Sequence, residues 1–487
     1  MTMITPQDRD DIQGIILSGY GHLYYTTYLL LTVTDGDRAK AWIKSILSEI
    51  STAKQWGKNP DGTTQKPTSA CSLAFTHSGF RALGLLDKTL NTFPREFMEG
   101  MTEAKRSEIL GDTGDSAPEN WEFGGPETAD IHLLLILNGT SPEQLDTYQQ
   151  SLFNEETAGL SLVTQERGFR VPSEKEHFGF NDSVSQPAIA GLPKRPNQLD
   201  SNTIATGEIL LGYPDGYNIW PITPVVPKVD DPTNILPDFP NNEIPEFHDF
   251  GRNGSFLVYR KLAQDVAGFW TFIAAQNKDT DGQPNPAAMT LMASKFVGRW
   301  PSGAPLALYP NQDNPQLEDK NNFSYIPNDE KGFGCPLGAH IRRTNPRDSL
   351  IDFPGEDSTT TSNRHRILRR GSLYGPPLFP LDEIDQGNLP LDIENDGQPR
   401  GTHFFCLNSD IGRQFEFLQQ TWANNPQFNG LYNNRDPIIG NNDGNSMMVI
   451  PQCPVRRRVK GLPRFVSVRG GAYFFLPSMR SLNFLVH

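Results

Sequence analysis

The run His177-Phe-Gly-Phe-Asn-Asp-Ser-Val-Ser-Gln-Pro187 places one carboxylate, Asp182, in a glycine-containing turn lined by Phe178 and Phe180. Burial disfavours a charged carboxylate unless a cation or a hydrogen bond compensates. A carboxylate in such surroundings is therefore a candidate proton acceptor. The competing reading is an Asx-turn or a helix N-cap, both common duties of aspartate.

Two later segments carry complementary groups. In Gly334-Cys-Pro-Leu-Gly-Ala-His-Ile-Arg-Arg-Thr-Asn-Pro-Arg347, a single His340 follows a Pro/Gly turn and precedes Arg342, Arg343 and Arg347. In Ile367-Leu-Arg-Arg-Gly-Ser-Leu-Tyr374, a basic pair is followed by a glycine and a tyrosine. A lone histidine is most often simply hydrogen-bonded. A neutral imidazole with arginines close by is also the set suited to a haem: a ring nitrogen binds iron and guanidinium forks meet the propionates.

Together the three segments resemble the dye-decolourising peroxidase family of haem enzymes. The family's G-x-x-D-G signature reads here as Gly179-Phe-Asn-Asp-Ser183, its A-H-I-R-x-x-N-P-R segment as Ala339 to Arg347, and its I-L-R-R-G segment as Ile367 to Gly371. The flanks Asp11-Ile-Gln-Gly-Ile15, Gly207 to Pro214, Asn253 to Val258 and Phe465 to Pro477 are similar too, so the resemblance runs through nearly the whole chain. One position departs: Ser183 stands where the signature ends in glycine. Glycine there would permit positive φ or a close backbone approach, which serine tolerates at modest cost.

The resemblance implies a peroxidase holding one haem b per chain, with hydrogen peroxide as oxidant and dyes, phenols and other bulky molecules as reductants. It implies His340 as the proximal iron ligand, Asp182 as distal acid/base and Arg369 as the stabiliser of developing charge. Asn345 and Arg347 match positions near a haem propionate, and Phe180 and Ser183 fall around the haem. Read without the resemblance, Arg369 is a surface arginine in a run with Arg364, Arg366 and Arg370. A proximal imidazole donates its second N–H to an acid or carbonyl; Asp410, which also suits the N-cap of the helix it opens, is the candidate. Tyr374, five residues beyond Arg369, is the candidate relay carrying oxidation to the surface.

Two rival classes remain. A haem carrier or iron-releasing protein on the same fold needs His340 but not Asp182 and Arg369 together. A serine hydrolase needs G-x-S-x-G, and Asn253-Gly-Ser-Phe-Leu257 does not fit that spacing. No H-x-x-x-H or H-x-H pair suggests a metal-only enzyme.

These residues must be positioned by a recurrent strand-then-helix unit. Tyr28 to Val33 precedes Trp42, Ile43, Ile46, Leu47 and Ile50 at helical spacing; Ile131 to Leu137 precedes the cap-like Ser141-Pro-Glu-Gln144. Ser255 to Tyr259 precedes Val266, Phe269, Trp270 and Ile273, and His403 to Leu407 precedes Ile411, Phe415, Leu418 and Trp422. Two units make one α+β sandwich, and four suggest it twice. The family is likewise built of two ferredoxin-like halves, of dimeric α+β barrel type, with haem in the C-terminal one. The expected domains are 1–165 and 166–487, with long surface loops at 215–250, 308–330, 348–364 and 375–402.

Composition bounds the partners. The 487 residues are ample to bury a cofactor, and 43 glycines with 40 prolines mean many turns. A net charge of −14 argues against nucleic acid and against a polybasic membrane patch. The four cysteines are scattered without a CxxC, which reads as reduced buried thiols. No basic n-region with an apolar core opens the sequence and no apolar run could cross a bilayer, so the expected location is cytoplasmic with no membrane partner.

Overall fold

The computed structural model describes residues 4–192, 200–240, 243–316, 321–381, 384 and 393–487. The strands β1 (Tyr25–Val33), β2 (Ser69–Phe75), β3 (Leu133–Gly139) and β4 (Leu160–Phe169) come from the first half. The second half gives β5 (Ser255–Gln264), β6 (Leu368–Arg369), β7 (Ser372–Tyr374), β8 (Gly401–Asn408) and β9 (Val466–Leu476). They are neighbours in the order β6-β8-β7-β4-β1-β3-β2-β9-β5, and β8 also pairs with β5, closing the sheet into a barrel. Closure leaves no long edge to protect.

The two halves are therefore joined through one sheet. The junctions are slight: Leu373 pairs with Phe169, and Phe475 with Phe75. Within each half the ladders are long and antiparallel, Tyr25 facing Gly139 in one and Gly401 facing Ala263 in the other. The boundary expected at 165 falls inside β4, where Gln165 pairs with Leu29.

Strand alternation sorts the side chains between two surroundings. Tyr28, Leu30, Leu134, Ile136, Leu257, Tyr259 and Phe405 pack together inside the barrel. Leu29, Leu31, Leu133, Leu135 and Val258 face outward, into a core covered by helices. Over the first half lies α1 (Gly36–Ile46), which buries Ala39, Trp42, Ile43 and Ile46, with Asp35 capping its start. Ser141 caps α2 (Pro142–Leu152) as its sequence suggests. Over the second half, α3 (Val266–Gln276) buries Phe269, Trp270 and Ile273, and α4 (Pro286–Val297) packs beside it.

The segment after β8 departs from the expected regular helix: Gly412–Glu416 and Leu418–Ala423 are π-helical. The Glu416 N–H donates to Ile411 O and the Asn424 N–H to Gln419 O, five residues back in each case. Such wide turns are rare and concentrate at functional sites.

Among the expected loops, 348–364 contains a helix at Glu356–Arg364. Residues 241–242, 317–320, 382–383 and 385–392 of the others lie outside the described residues. Cys71, Cys335 and Cys406 are buried free thiols, whereas Cys453 is exposed, contrary to the expectation for it. Among the described residues no helix is long and apolar enough to cross a membrane.

Candidate active site

Between the outer face of the C-terminal sheet and the helical segments lies a cavity of about 290 Å³. Leu262 of β5, Phe404 of β8 and Val466 of β9 form its sheet wall; Ile341, Phe415 and Leu418 close it from the helical side. An apolar pocket with a few converging polar groups is the usual form of a ligand site. His340, Asn345, Asp182, Ser183, Phe180 and Arg369, separated by up to 189 positions in sequence, all line it.

The Asp182 turn is shaped by a second carboxylate. Glu176 accepts the N–H groups of Phe178 and Phe180, both at 2.9 Å, and Gly179 at φ +93° completes the bend. Ser183 adopts φ +65°, the conformation for which glycine is the usual choice. Arg369 reaches Asp182 from β6: Nη1 lies 2.6 Å from Oδ1. The Arg369 N–H donates to Gln186 Oε1 at 3.0 Å, which ties the two sequence segments together.

Burial pushes the Asp182 carboxyl up, but the Arg369 charge and the Ser183 N–H outweigh it and hold the group below the usual carboxylate range. Asp182 is nevertheless 41 % accessible and Arg369 30 %, so the pair remains open to a small molecule. Asp182, Ser183 and Arg369 also line a second hollow reaching Tyr20, Trp56 and Arg170. Glu176, a cavity group the sequence reading passed over, is driven by burial to about 7 despite its backbone donors.

His340 opens α5 (His340–Thr344). Its Nδ1 lies 2.9 Å from Oδ2 of Asp436, while Asp436 Oδ1 accepts from the Ile438 and Ile439 N–H groups at 2.8 and 3.0 Å. Burial raises the Asp436 carboxyl, but His340, Arg343 and the Ile439 N–H reverse this and keep it below its ordinary value. An ionised Asp436 assigns the hydrogen to Nδ1 and leaves Nε2 with a lone pair. Among the described residues nothing forms a hydrogen bond to that Nε2.

Asp410 is thus not the acid beside His340. It caps the turn after β8, accepting the Arg413 N–H at 2.8 Å. The residue that takes this place, Asp436, lies in Asn433-Asn434-Arg435-Asp436-Pro437, which shows no periodic signal.

The arginines after His340 also have other work. Arg342 donates to the carbonyls of Asp329 and Cys335 at 2.9 and 2.8 Å, and Arg343 to those of Trp422, Ala423, Asn425 and Asn434. Both are fully buried and fasten α5 to its surroundings. Arg347 does not line the cavity: it stacks over Phe323 and donates to the carbonyls of Asn321 and Phe323. Among the described residues the arginines that do line it are Arg260, Arg299, Arg366, Arg369 and Arg464. Burial and the charge of Arg347 press Arg299 and Arg366 each down to about 9, with Arg369 adding to both. Mutually repelling buried guanidiniums call for an anion. Asn345 adds a buried amide nitrogen with no partner among the described residues, at the same cavity. An apolar cavity with a bare imidazole nitrogen, crowded cations and an unsatisfied amide fits a flat ligand carrying a metal and acidic groups.

Tyr374 is buried at 8 % exposure and does not line the cavity, so it is not a surface residue. Its ring lies 4.9 Å from that of His403, with the Lys261 ammonium 5.1 Å from its centre.

Residues 11–170 match the family described as the DyP dimeric alpha+beta barrel domain. The chain is 28 % identical over 500 residues to a dye-decolorizing peroxidase of Exidia glandulosa, covering 99 % of this chain and 87 % of the relative. It is 30 % identical over 386 residues to the multifunctional dye peroxidase DyP2 of an Amycolatopsis species, covering 76 % and 74 %. The structure of an ancestral D-type dye decolorizing peroxidase superposes with a TM-score of 0.75 at 30 % identity, over 98 % of this chain and 99 % of that one. A dye-decolorizing peroxidase in complex with 2,6-dimethoxyphenol gives the same TM-score at 25 % identity, over 98 % and 99 %.

Proposed function

Since the chain belongs to the dye-decolourising peroxidase family and is a peroxidase, we propose that it reduces hydrogen peroxide at a haem b held by His340 and draws electrons from dyes, phenols and other bulky reductants. The observation that carries this reading is the meeting of two fixed pairs at one cavity: His340 with Asp436, and Asp182 with Arg369.

When bound, haem b supplies an iron able to take peroxide as a ligand and a macrocycle able to give up the electrons that O–O cleavage consumes. His340 Nε2 would hold the iron. Asp436 fixes the ring orientation and tautomer and makes Nε2 a stronger donor. Arg299, Arg366 and the Asn345 amide would meet the propionates, and Phe180 and Ser183 would border the macrocycle. Asp182, ionised at rest, would accept a proton from one peroxide oxygen and deliver it to the other. The Arg369 guanidinium steadies the negative charge growing on the departing oxygen, and water leaves. The Asp182–Arg369 pair has no use in a haem carrier, which weighs against that alternative.

The test is an absorption spectrum of the protein supplied with haem. A Soret band that moves on adding peroxide, with turnover of an anthraquinone dye, is expected. A protein that takes up no haem, or whose band ignores peroxide, overturns the proposal.

A further inference from the structure

The sheet wall of the cavity has a chemically distinctive reverse side. Arg260 and Leu262 of β5 and Thr402 and Phe404 of β8 face the cavity. Tyr259 and His403 alternate with them and so point the other way, into the barrel. There the Tyr259 hydroxyl lies 3.0 Å from His403 Nδ1, and both residues are 0 % exposed. His403 Nε2 faces the Arg167 carbonyl at 3.3 Å, which assigns the ring hydrogen to Nε2 and makes Nδ1 the acceptor of the phenol's proton.

A buried phenol is usually satisfied by a carbonyl oxygen, which cannot take the proton away. An imidazole can. Loss of an electron from a phenol makes its O–H strongly acidic, so an electron can leave readily only where the proton has somewhere to go. The surroundings suit this exchange: Tyr259 stacks on Phe405 at 4.2 Å, and the rings of Tyr28 and Tyr374 lie 5.1 and 4.9 Å from that of His403.

We infer that Tyr259 and His403 form an internal redox site, one sheet thickness from the cavity, that holds one of the oxidising equivalents left by peroxide. One electron leaves the Tyr259 phenol to fill that equivalent, the O–H bond breaks, and the proton forms an N–H bond at His403 Nδ1. The neutral phenoxyl so formed is returned by one electron from an external reductant, with the same proton going back. The inference rests on the peroxidase reading above, because peroxide supplies the oxidant.

The charges around the pair favour a prompt return. Burial and the Lys261 ammonium press the His403 imidazole down to about 3, so it gives the proton back once the phenol is reduced. Glu166, 3.8 Å from Nε2 and 2.8 Å from the Lys261 ammonium, faces the imidazolium while it lasts. Burial holds the Tyr259 phenol well above its ordinary value, so it stays protonated until oxidised.

The test is freeze-quench electron paramagnetic resonance of haem-loaded protein mixed with peroxide and no reductant, using ring-deuterated tyrosine. A tyrosyl signal narrowed by deuteration is expected. Y259F, which deletes one hydroxyl, should lose it, and H403F, which keeps the phenol but removes the acceptor, should lose it too. The Soret band and the unfolding midpoint verify that each variant is loaded and folded; if H403F is not, Y259F decides alone. A loaded, peroxide-reactive protein with no tyrosyl signal, or with one unchanged in Y259F, overturns the internal site and leaves the peroxidase reading standing. A protein without haem overturns both.

Discussion

Nδ1 of His340 lies 2.9 Å from Oδ2 of Asp436, and the second carboxylate oxygen is gripped by the Ile438 and Ile439 N–H groups. The carboxylate is therefore fixed before it fixes the ring. One oxygen is anchored to the backbone and the other aims the imidazole, so Nε2 is presented to the cavity in a single orientation.

Asp436→Asn keeps the shape but removes the charge that orients His340. Haem affinity should fall by about 10–100-fold, the usual loss for a partner behind a metal ligand. His340→Ala should abolish stable uptake, whereas Asp410→Asn, at a capping position, should leave affinity unchanged. Titration of the Soret band against added haem measures all three, and equal losses in the Asp410 and Asp436 variants would refute the assignment.

Asp182→Asn and Arg369→Leu should each slow the reaction with peroxide by ~10²–10⁴-fold, the range for lost proton transfer or charge stabilisation. The double variant should be little worse than either single one, because the pair acts as a unit. Stopped-flow absorbance reports these rates. Losses that multiply would mean the two residues act separately.

The same pair sets the acid limit of the reaction. A carboxyl held below its ordinary value stays ionised as pH falls, so the wild-type peroxide rate should hold until pH drops below the usual carboxylate range and then decline. Arg369→Leu removes the compensating charge and leaves burial, which acts in the opposite direction. The acid limb should therefore move to higher pH in that variant. A profile with the same inflection in both proteins would show that Asp182 is not the titrating group.

Much of this was legible in the sequence, and the limits have physical causes. The four strand–helix units rest on local periodicity, which is why Trp42, Ile43 and Ile46 bury as their spacing demands. Closure into one barrel depends on the pairings Phe169–Leu373 and Phe75–Phe475, which no local pattern encodes. Asp182, His340, Asn345 and Arg369 were legible because distinctive short segments carry them, and they do share a cavity. Asp436 was not, since an acid 96 positions from its partner leaves no spacing to read. Arg347 and Tyr374 show the converse: a segment reveals that a residue is present but not what surrounds its side chain, and the Arg347 guanidinium is taken up by Asn321 and Phe323 while Tyr374, expected to lead to the surface, is buried.

Ser183 offers a stability test. At φ +65° a side chain with a Cβ bears a strain of about 1–2 kcal/mol that glycine avoids. Ser183→Gly should recover part of it, since glycine also loses more freedom on folding. A raised unfolding midpoint with an unchanged Soret band is expected. A lowered midpoint would mean that the Ser183 side chain makes contacts worth more than the strain.

Reductant charge should govern turnover through the field of the whole molecule. The chain carries a net charge of −14, which repels anionic molecules at long range. Salt shortens that reach to about 10 Å at 0.1 M ionic strength. For a sulfonated anthraquinone dye, kcat/KM should therefore rise as sodium chloride is added, because encounter is the step that repulsion slows. A cationic dye should show the reverse, and a neutral phenol should show neither. The reaction with peroxide, which is uncharged, should keep its rate across the series and so separates an effect on encounter from damage to the site. An anionic dye whose turnover falls with salt would mean that it docks on a local cationic patch strong enough to override the net charge.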